Sequence, residues 1–321
     1  MSKTKILIFI AASVFIFSAS VFLGPKAINP FALTGTDREI IFLIRLPRAI
    51  VAALMGIALG ASGAVLQGIL RNPLADPYIL GISSGAALTA ALGLLSGLFF
   101  FGNLSLPLTA FIGAFFASII VGSFGWRRGG IWPDRLLLAG VGLSFLFYSV
   151  LMLLISISSD EGMRRALLWI FGDLSIADWS LIPYGFLLII AGLYLSVSRA
   201  KALNALMLGD ELAHSLGFSV NRERLLLFVS VALMTAASVS LGGTIGFIGL
   251  IIPHIVRFFI GADNRIVIPV SAICGGAFLC MADLIGKSVM APIEIPSGIV
   301  TAIIGSPYFL YLLRRRDVLN L

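Results

Sequence analysis

Few residues in this 321-residue chain can do chemistry, and their spacing rules out several reaction types. Gly286-Lys287-Ser288 copies the last three positions of a phosphate-binding loop. Such a loop cradles phosphate with backbone N–H groups and needs a glycine five positions before Gly286, where Met281 stands, so no nucleotide site is read here. Cys274 and Cys280 lie six apart in one apolar run, on different faces of a helix. They match no metal-ligand spacing and read as core. His254, beside Pro253 and close to Arg257, reads as a helix-terminus histidine rather than a proton relay. No catalytic residue, metal ligand or cofactor is assigned.

The most informative polar piece is the segment Ser198 to Arg224. Within it, Leu208-Gly209-Asp210-Glu211-Leu212-Ala213-His214-Ser215-Leu216-Gly217 reads as a short amphipathic helix. Its first turn is acidic, Leu212, Ala213 and Leu216 are apolar, and Gly217 is a stop. Such a helix either caps the molecule or serves as a docking knob for a soluble partner, and its charges favour docking.

Positioning these residues is the task of long apolar elements. Composition is 59% hydrophobic and 12% charged, with mean hydropathy +1.08. Polar residues cluster between runs of about 20 apolar ones, the length that crosses a hydrocarbon slab as a helix. About ten runs are read: Ile6–Leu23, Ala49–Leu70, Tyr78–Phe99, Leu104–Gly125, Leu136–Ile157, Leu181–Val197, Leu225–Leu241, Phe247–Phe259, Ile266–Met281 and Ile299–Leu313. The expected fold is an all-α polytopic membrane protein forming one domain over residues 1–321, because helices satisfy their backbone groups internally in lipid. The centre of every run lacks Asp, Glu, Lys and Arg, with Asp283 at the outer end of the ninth. That pattern speaks against an ion-coupled carrier, which needs titratable groups at membrane depth.

Charge sets the orientation. With Lys3 and Lys5 in the cytoplasm and sides alternating, the inner segments hold fifteen of the 22 Lys and Arg residues, including Arg71, Arg127, Arg128, Arg222, Arg224 and Arg314 to Arg316. Both termini are then cytoplasmic, and topology accounts for the net charge of +7 without nucleic acid as a partner. Ser18-Ala19-Ser20 also fits a signal cleavage site, but the apolar run continues through Leu23, which favours a retained first span. Glycines at Gly56 and Gly60, Gly81 and Gly85, Gly242, Gly246 and Gly249, and Gly275 and Gly276 are spaced for close helix contact within one subunit.

Seven phrases in order make the chain familiar: Arg45-Leu46-Pro47-Arg48, Gly63-Ala64-Val65-Leu66-Gln67-Gly68, Arg71-Asn72-Pro73-Leu74-Ala75-Asp76-Pro77, Leu80-Gly81-Ile82-Ser83-Ser84-Gly85-Ala86, Leu137-Leu138-Ala139-Gly140-Val141, Gly246 to Arg257, and Pro296 to Gly305. From about Arg45 to Leu313 the chain resembles the FecCD permease family, membrane subunits of ABC importers for cobalamin, haem and ferric siderophores, with some members carrying molybdate or tungstate. The resemblance implies a ten-helix subunit in the cytoplasmic (inner) membrane, paired as a homodimer, with two ATPase subunits below and a substrate-binding protein above. It implies that Gly209, Asp210, Glu211, Ala213, Leu216 and Gly217 belong to the ATPase-coupling helix. It places Arg45, Arg48 and Lys287 at outward-facing positions that dock the binding protein, although snorkelling explains Arg45 and Arg48 nearly as well. It places Ser144, Tyr148, Ser149, Thr301 and Ser306 on the translocation path, along the fifth and tenth spans. Ile131 to Arg135 resembles a cytoplasmic gate region, and Glu161 to Phe171 a short interfacial helix at the outer mouth. An iron chelate is the expected cargo because the family uses it most.

Overall fold

The computed structural model describes residues 3–26, 28–29, 33–97, 102–127 and 130–314. Arg128, Arg315, Arg316 and the Phe99 end of the third run lie outside the described residues. In chain order the helices are α1 (Lys3–Phe22), α2 (Gly35–Glu39), α3 (Leu46–Leu70), α4 (Ile82–Ser96), α5 (Ser105–Gly125), α6 (Pro133–Ser156) and α7 (Asp160–Ile170). They continue as α8 (Leu181–Ser198), α9 (Ala200–Leu208), α10 (Asp210–Ser215), α11 (Val220–Gly242), α12 (Ile248–Ile260), α13 (Asn264–Ser288) and α14 (Ser297–Arg314). A π-helical stretch, Ile40–Arg45, joins α2 to α3. Two-residue strands β1 (Trp126–Arg127) and β2 (Gly130–Ile131) form a small antiparallel hairpin between α5 and α6. Among the described residues, seven helices are long and apolar enough to cross a membrane, and α4, α12 and α14 are shorter apolar helices.

The bundle is organised around α3, which packs against α13, α11, α12 and α8. Glycine is what lets these backbones meet. A Cβ on Gly56 would sit 2.2 Å from the Gly275 carbonyl oxygen, and one on Gly60 would sit 2.2 Å from that of Ser271. In lipid, where expulsion of water cannot drive association, such close van der Waals packing holds helices together. The sequence expectation that these glycines serve packing within one subunit is met at this seam. Cys280 is buried here beside the Ala49 carbonyl, in keeping with its core reading.

Several helix limits differ from the sequence reading for definite reasons. The ninth run continues through Ser288 because its added polar residues, Asp283 and Lys287, are buried and partnered rather than solvated. The third begins later than Tyr78, since Pro77–Leu80 is a 3-10 turn and Gly81 adopts a left-handed conformation (φ 72°) before α4 starts.

α12 is a half-length element: thirteen residues rise only about 20 Å. Gly242, at the end of α11, lies against Met55, whereas Gly249 packs on Gly63, two turns farther along α3. Residues 243–247 cover that drop as non-helical chain, leaving the start of α12 inside the bundle. Non-helical backbone at this depth is tolerated only when protein satisfies it.

Candidate functional site

α10 projects from one end of the bundle as a knob. Gly209 and Gly217 bound it with φ values of 130° and 85°, so the chain turns sharply on either side in conformations that side chains resist. Ala213 is buried and seats the helix, while Leu208, Leu212 and Leu216 are 67%, 54% and 61% exposed. Leu212 on this six-residue helix, with Leu208 and Leu216 at its two ends, forms an apolar surface left uncovered by the described residues of this chain.

The knob is tied to the bundle by one carboxylate. Asp210 accepts from Arg71, in the left-handed position that ends α3, and from Arg224 on α11 at 2.6 Å. Arg71 also donates to the Leu206 carbonyl at 2.8 Å. Arg224 reaches further, donating to the Ile131 carbonyl in β2 at 3.3 Å. The hairpin lies tightly on α11, for a Cβ at Gly130 would be 1.7 Å from the Asn221 side-chain oxygen. Beside this junction, Asp263 caps α13, accepts from Asn204 of α9 at 2.8 Å, and pairs with Arg265. The Arg265 guanidinium holds the Asp263 carboxyl well below the usual carboxylate range.

α6 turns most of its surface outward, and a recess of about 340 Å³ opens on it, lined by Tyr78, Ile79, Val141, Ser144, Phe145 and Tyr148. Of the expected path residues, Tyr148 and Ser149 are exposed on this face and Ser144 is half-buried beside Ser84. Ser306 is half-buried on α14. Thr301 departs from the expectation: it is fully buried, and its hydroxyl donates to the Gly298 carbonyl of its own helix at 3.0 Å. Its side chain packs α14 against the bundle and does not reach the surface of the described residues.

The three expected docking cations, Arg45, Arg48 and Lys287, are buried and partnered within the chain rather than presented outward. Arg48 is buried and grips Asp283 with Nε and an Nη at 3.0 and 2.8 Å, while its other Nη reaches Glu294 at 2.7 Å. Ser297 adds a hydroxyl to Asp283 at 3.1 Å. Lys287 is buried 3.8 Å from Asp283 and donates to the Ser20 carbonyl at 2.7 Å. Arg45 donates to the carbonyls of Phe22 and Lys26, at 3.0 and 2.6 Å. The guanidinium fork suits Asp283, and the ammonium of Lys287 suits the single carbonyl of Ser20. These cations splice α1, α3, α13 and the start of α14 into one end of the bundle.

Comparison with known proteins fits this architecture. The model of the FecCD transport family matches residues 5–315. The chain belongs to that family. It is 41% identical over 283 residues to the hemin transport system permease protein HmuU of Yersinia pestis, covering 85% of this chain and 82% of that one. It is 40% identical to the cobalamin import system permease protein BtuC of Halobacterium salinarum, over 90% of this chain and 77% of that one. It is 36% identical to the iron(3+)-hydroxamate import system permease protein FhuG of Bacillus subtilis, over 91% and 89%. A solved metal-chelate type ABC transporter in an inward-facing conformation superposes with a TM-score of 0.88 at 29% identity, covering 98% of this chain and all of that one.

The FecCD phrases turn out to be junctions. Gln67 donates to the Gly249 and Leu250 carbonyls at 3.1 and 3.2 Å and accepts from Arg257, which also donates to the Ala64 carbonyl at 3.0 Å. Asp76 is buried, accepts from the Tyr78 backbone at 2.9 Å, and takes further backbone hydrogen bonds from Phe247 and Leu250 at the start of α12. Gly140 fits against the Ile79 carbonyl, 2.4 Å from where its Cβ would be, and Gly305 against the Phe247 side chain. Sequence reading missed Asp76, Arg71, Arg224 and Arg257 as working residues. Asp76 and Arg71 stood inside a quoted phrase, and a carboxylate among prolines signals a local cap. Arg224 had no such signal, because its partners are fourteen and ninety-three positions away.

Proposed function

We propose that this chain is the membrane permease subunit of a binding-protein-dependent ABC importer, moving an iron chelate (ferric siderophore or haem) across the cytoplasmic membrane. The carrying observation is α10, a leucine-tipped knob whose apolar tip stays exposed among the described residues. Two cytoplasmic ATPase subunits would each receive one such knob, supply the hydrolysis, and return the energy of closure through it. The count of ten spans follows the apolar runs, and the orientation with α10 and both termini in the cytoplasm follows the distribution of Lys and Arg.

A second copy of the chain pairs with the first across α6 and α14, whose outward apolar faces would otherwise meet lipid. The path then runs between the copies, past Tyr148, Ser149, Ser144, Tyr78 and Ser306. A wall of hydroxyls and apolar groups without charge suits a bulky chelate that must leave as readily as it enters. A soluble binding protein delivers the cargo at the opposite end, and alternating access follows from rocking of the two copies. Its docking surface would use exposed groups around the buried cluster, with Glu294 the nearest candidate, rather than Arg45, Arg48 or Lys287 themselves.

The test is reconstitution with the cognate ATPase. Leu212→Asp with Leu216→Asp is expected to leave insertion intact and to abolish co-purification of the ATPase and ATP-driven uptake. Normal uptake from the double variant would reduce α10 to a cap, and accumulation by the permease alone in vesicles would overturn the importer reading. Binding of haem, ferric hydroxamates, cobalamin and molybdate to the cognate binding protein decides the cargo.

A further inference from the structure

The carboxylate of Asp210 sits where three parts of the molecule meet. It belongs to the knob, it is held by the end of α3 through Arg71, and it is held by α11 through Arg224. Arg224 is the informative partner. Its side chain is 7% exposed, against 47% for Asp210, so it forms the inner wall of the junction while the acid faces the open side. One of its terminal nitrogens serves Asp210 and the other serves the Ile131 carbonyl, the last residue of the hairpin before Trp132 and α6. Its Nε, also buried, has no hydrogen-bond partner among the described residues. A pocket of about 440 Å³, bounded by Arg71, Ile131, Trp132, Asp134, Asp210 and Arg224, leaves room for these side chains to shift. The hairpin backbone continues directly into α6, the helix that carries Ser144, Tyr148 and Ser149.

We infer that Asp210 and Arg224 form the mechanical link between the knob and the path-lining helix: displacement of α10 pulls on Arg224, which releases or re-aims the Ile131 carbonyl and so moves the α5–α6 hairpin and the first turn of α6. Asp210 is a positioning residue in this scheme and touches neither cargo nor nucleotide. The guanidinium is suited to the task because its planar fork serves two acceptors on different elements at once, which an ammonium on a flexible stem does less well. A buried Nε with no hydrogen-bond partner carries a standing cost that a rearranged junction can relieve. α10 itself is too short to transmit force through its own fold, with one buried residue and six in all. The two arginine contacts, with the seating of Ala213, are its hold on the bundle.

The inference rests on α10 being the ATPase-docking element, and the experiment separates the two. The permease with Cys274 and Cys280 replaced by serine and Arg135→Cys introduced at the exposed first turn of α6 is reconstituted with its ATPase. Labelling of that cysteine by a membrane-impermeant maleimide is then followed with and without ATP and vanadate. ATP is expected to change the labelling rate. Arg224→Gln should retain ATPase association and hydrolysis while shrinking the ATP-dependent change by about tenfold, Asp210→Asn should shrink that change as well, and Asp210→Glu should restore most of it. The double variant Asp210→Asn with Arg224→Gln should be no worse than either single one, as for two residues in one link. An unchanged labelling response in Asp210→Asn overturns the link. Losses that add in the double variant overturn it also. Loss of ATPase association in Arg224→Gln overturns it by making the arginine part of the docking surface. Failure of the α10 reading shows separately, as an ATPase that stays bound to the Leu212→Asp, Leu216→Asp permease.

Discussion

The two ionic clusters at opposite ends of the bundle are built on opposite plans. At the end of α13, Arg48, Asp283 and Lys287 are all buried: Asp283 accepts from Arg48 and Ser297 and is ion-paired with Lys287 at 3.8 Å, and Lys287 donates to the Ser20 carbonyl. At the α10 end, Asp210 and Arg71 are each nearly half exposed and only Arg224 is buried. The first arrangement is stable only when complete, since removing one partner strands a charge where water cannot reach it. The second sits in a higher dielectric, where an ion pair contributes little and parts cheaply. A bundle that must hold one end together while the other is worked by a partner needs this division. The buried cluster fixes the ends of α1, α3, α13 and α14, and the open cluster lets α10 shift.

The largest effect is expected where the comparison is most one-sided. Asp283→Asn leaves Arg48 and Lys287 without their shared counter-charge and should destabilise the protein by about 3–5 kcal/mol. Asp210→Asn should cost no more than about 1 kcal/mol, being a half-exposed pair. Unfolding in mixed micelles, read as the fraction of denaturing detergent at the midpoint, checks both. Similar midpoints for the two variants would show that burial does not distinguish the clusters.

Glycines sharpen the same contrast between fixed and movable parts. Gly63 lies under α12, where a Cβ on it would come within 2.0 Å of the Gly249 carbonyl oxygen, whereas Gly142 on the outward face of α6 has open space around it. Gly63→Ala should therefore force α12 off its seat and destabilise the fold by about 1–3 kcal/mol, as overpacking does. Gly142→Ala should be neutral or slightly stabilising, because alanine favours helix over glycine. The midpoint of the same unfolding transition is the measurement. Two equal losses would mean that helix propensity rather than the α3–α12 contact governs both sites.

How much of this could be read from the sequence follows from the range of the interactions. Apolar runs and glycine spacing are local patterns with a direct physical cause, so the helices were legible, and so were the contact glycines of the α3–α13 seam and the glycine-bounded helix from Asp210, but not which helices those glycines bring together. Polar partners far apart in the chain were not. Asp283 lay beyond the apolar run that marked its helix, and nothing local says that Arg48, 235 positions earlier, neutralises it. For the same reason Arg45, Arg48 and Lys287 read as surface charges. The burial of Thr301 was not legible either, because a hydroxyl that bonds back to its own helix looks, in sequence, like one aimed at a path. The break before α12 was legible, since the apolar runs stop at Leu241 and resume at Phe247, but its place inside the bundle was not, because that geometry depends on Asp76 and Tyr78 from another part of the chain.

A small, pH-dependent effect concerns the seam between these plans, where Asp263 caps α13 and holds Asn204 of α9, the helix that leads into the knob. Asp263→Ala removes the cap and should cost about 1 kcal/mol. The dependence on pH distinguishes a charged cap from a merely polar one. Because Arg265 and Asn204 hold the folded-state carboxyl below its ordinary range, its contribution is complete above the unfolded value of about 4 and is lost only as pH falls through the lower folded value. The gap between wild type and Asp263→Ala should thus be constant from pH 8 to about 5 and narrow below about 4. A gap that already closed between pH 7 and 5 would place the titrating group elsewhere. It would also remove the ionised cap from the joint between the fixed helices and α9.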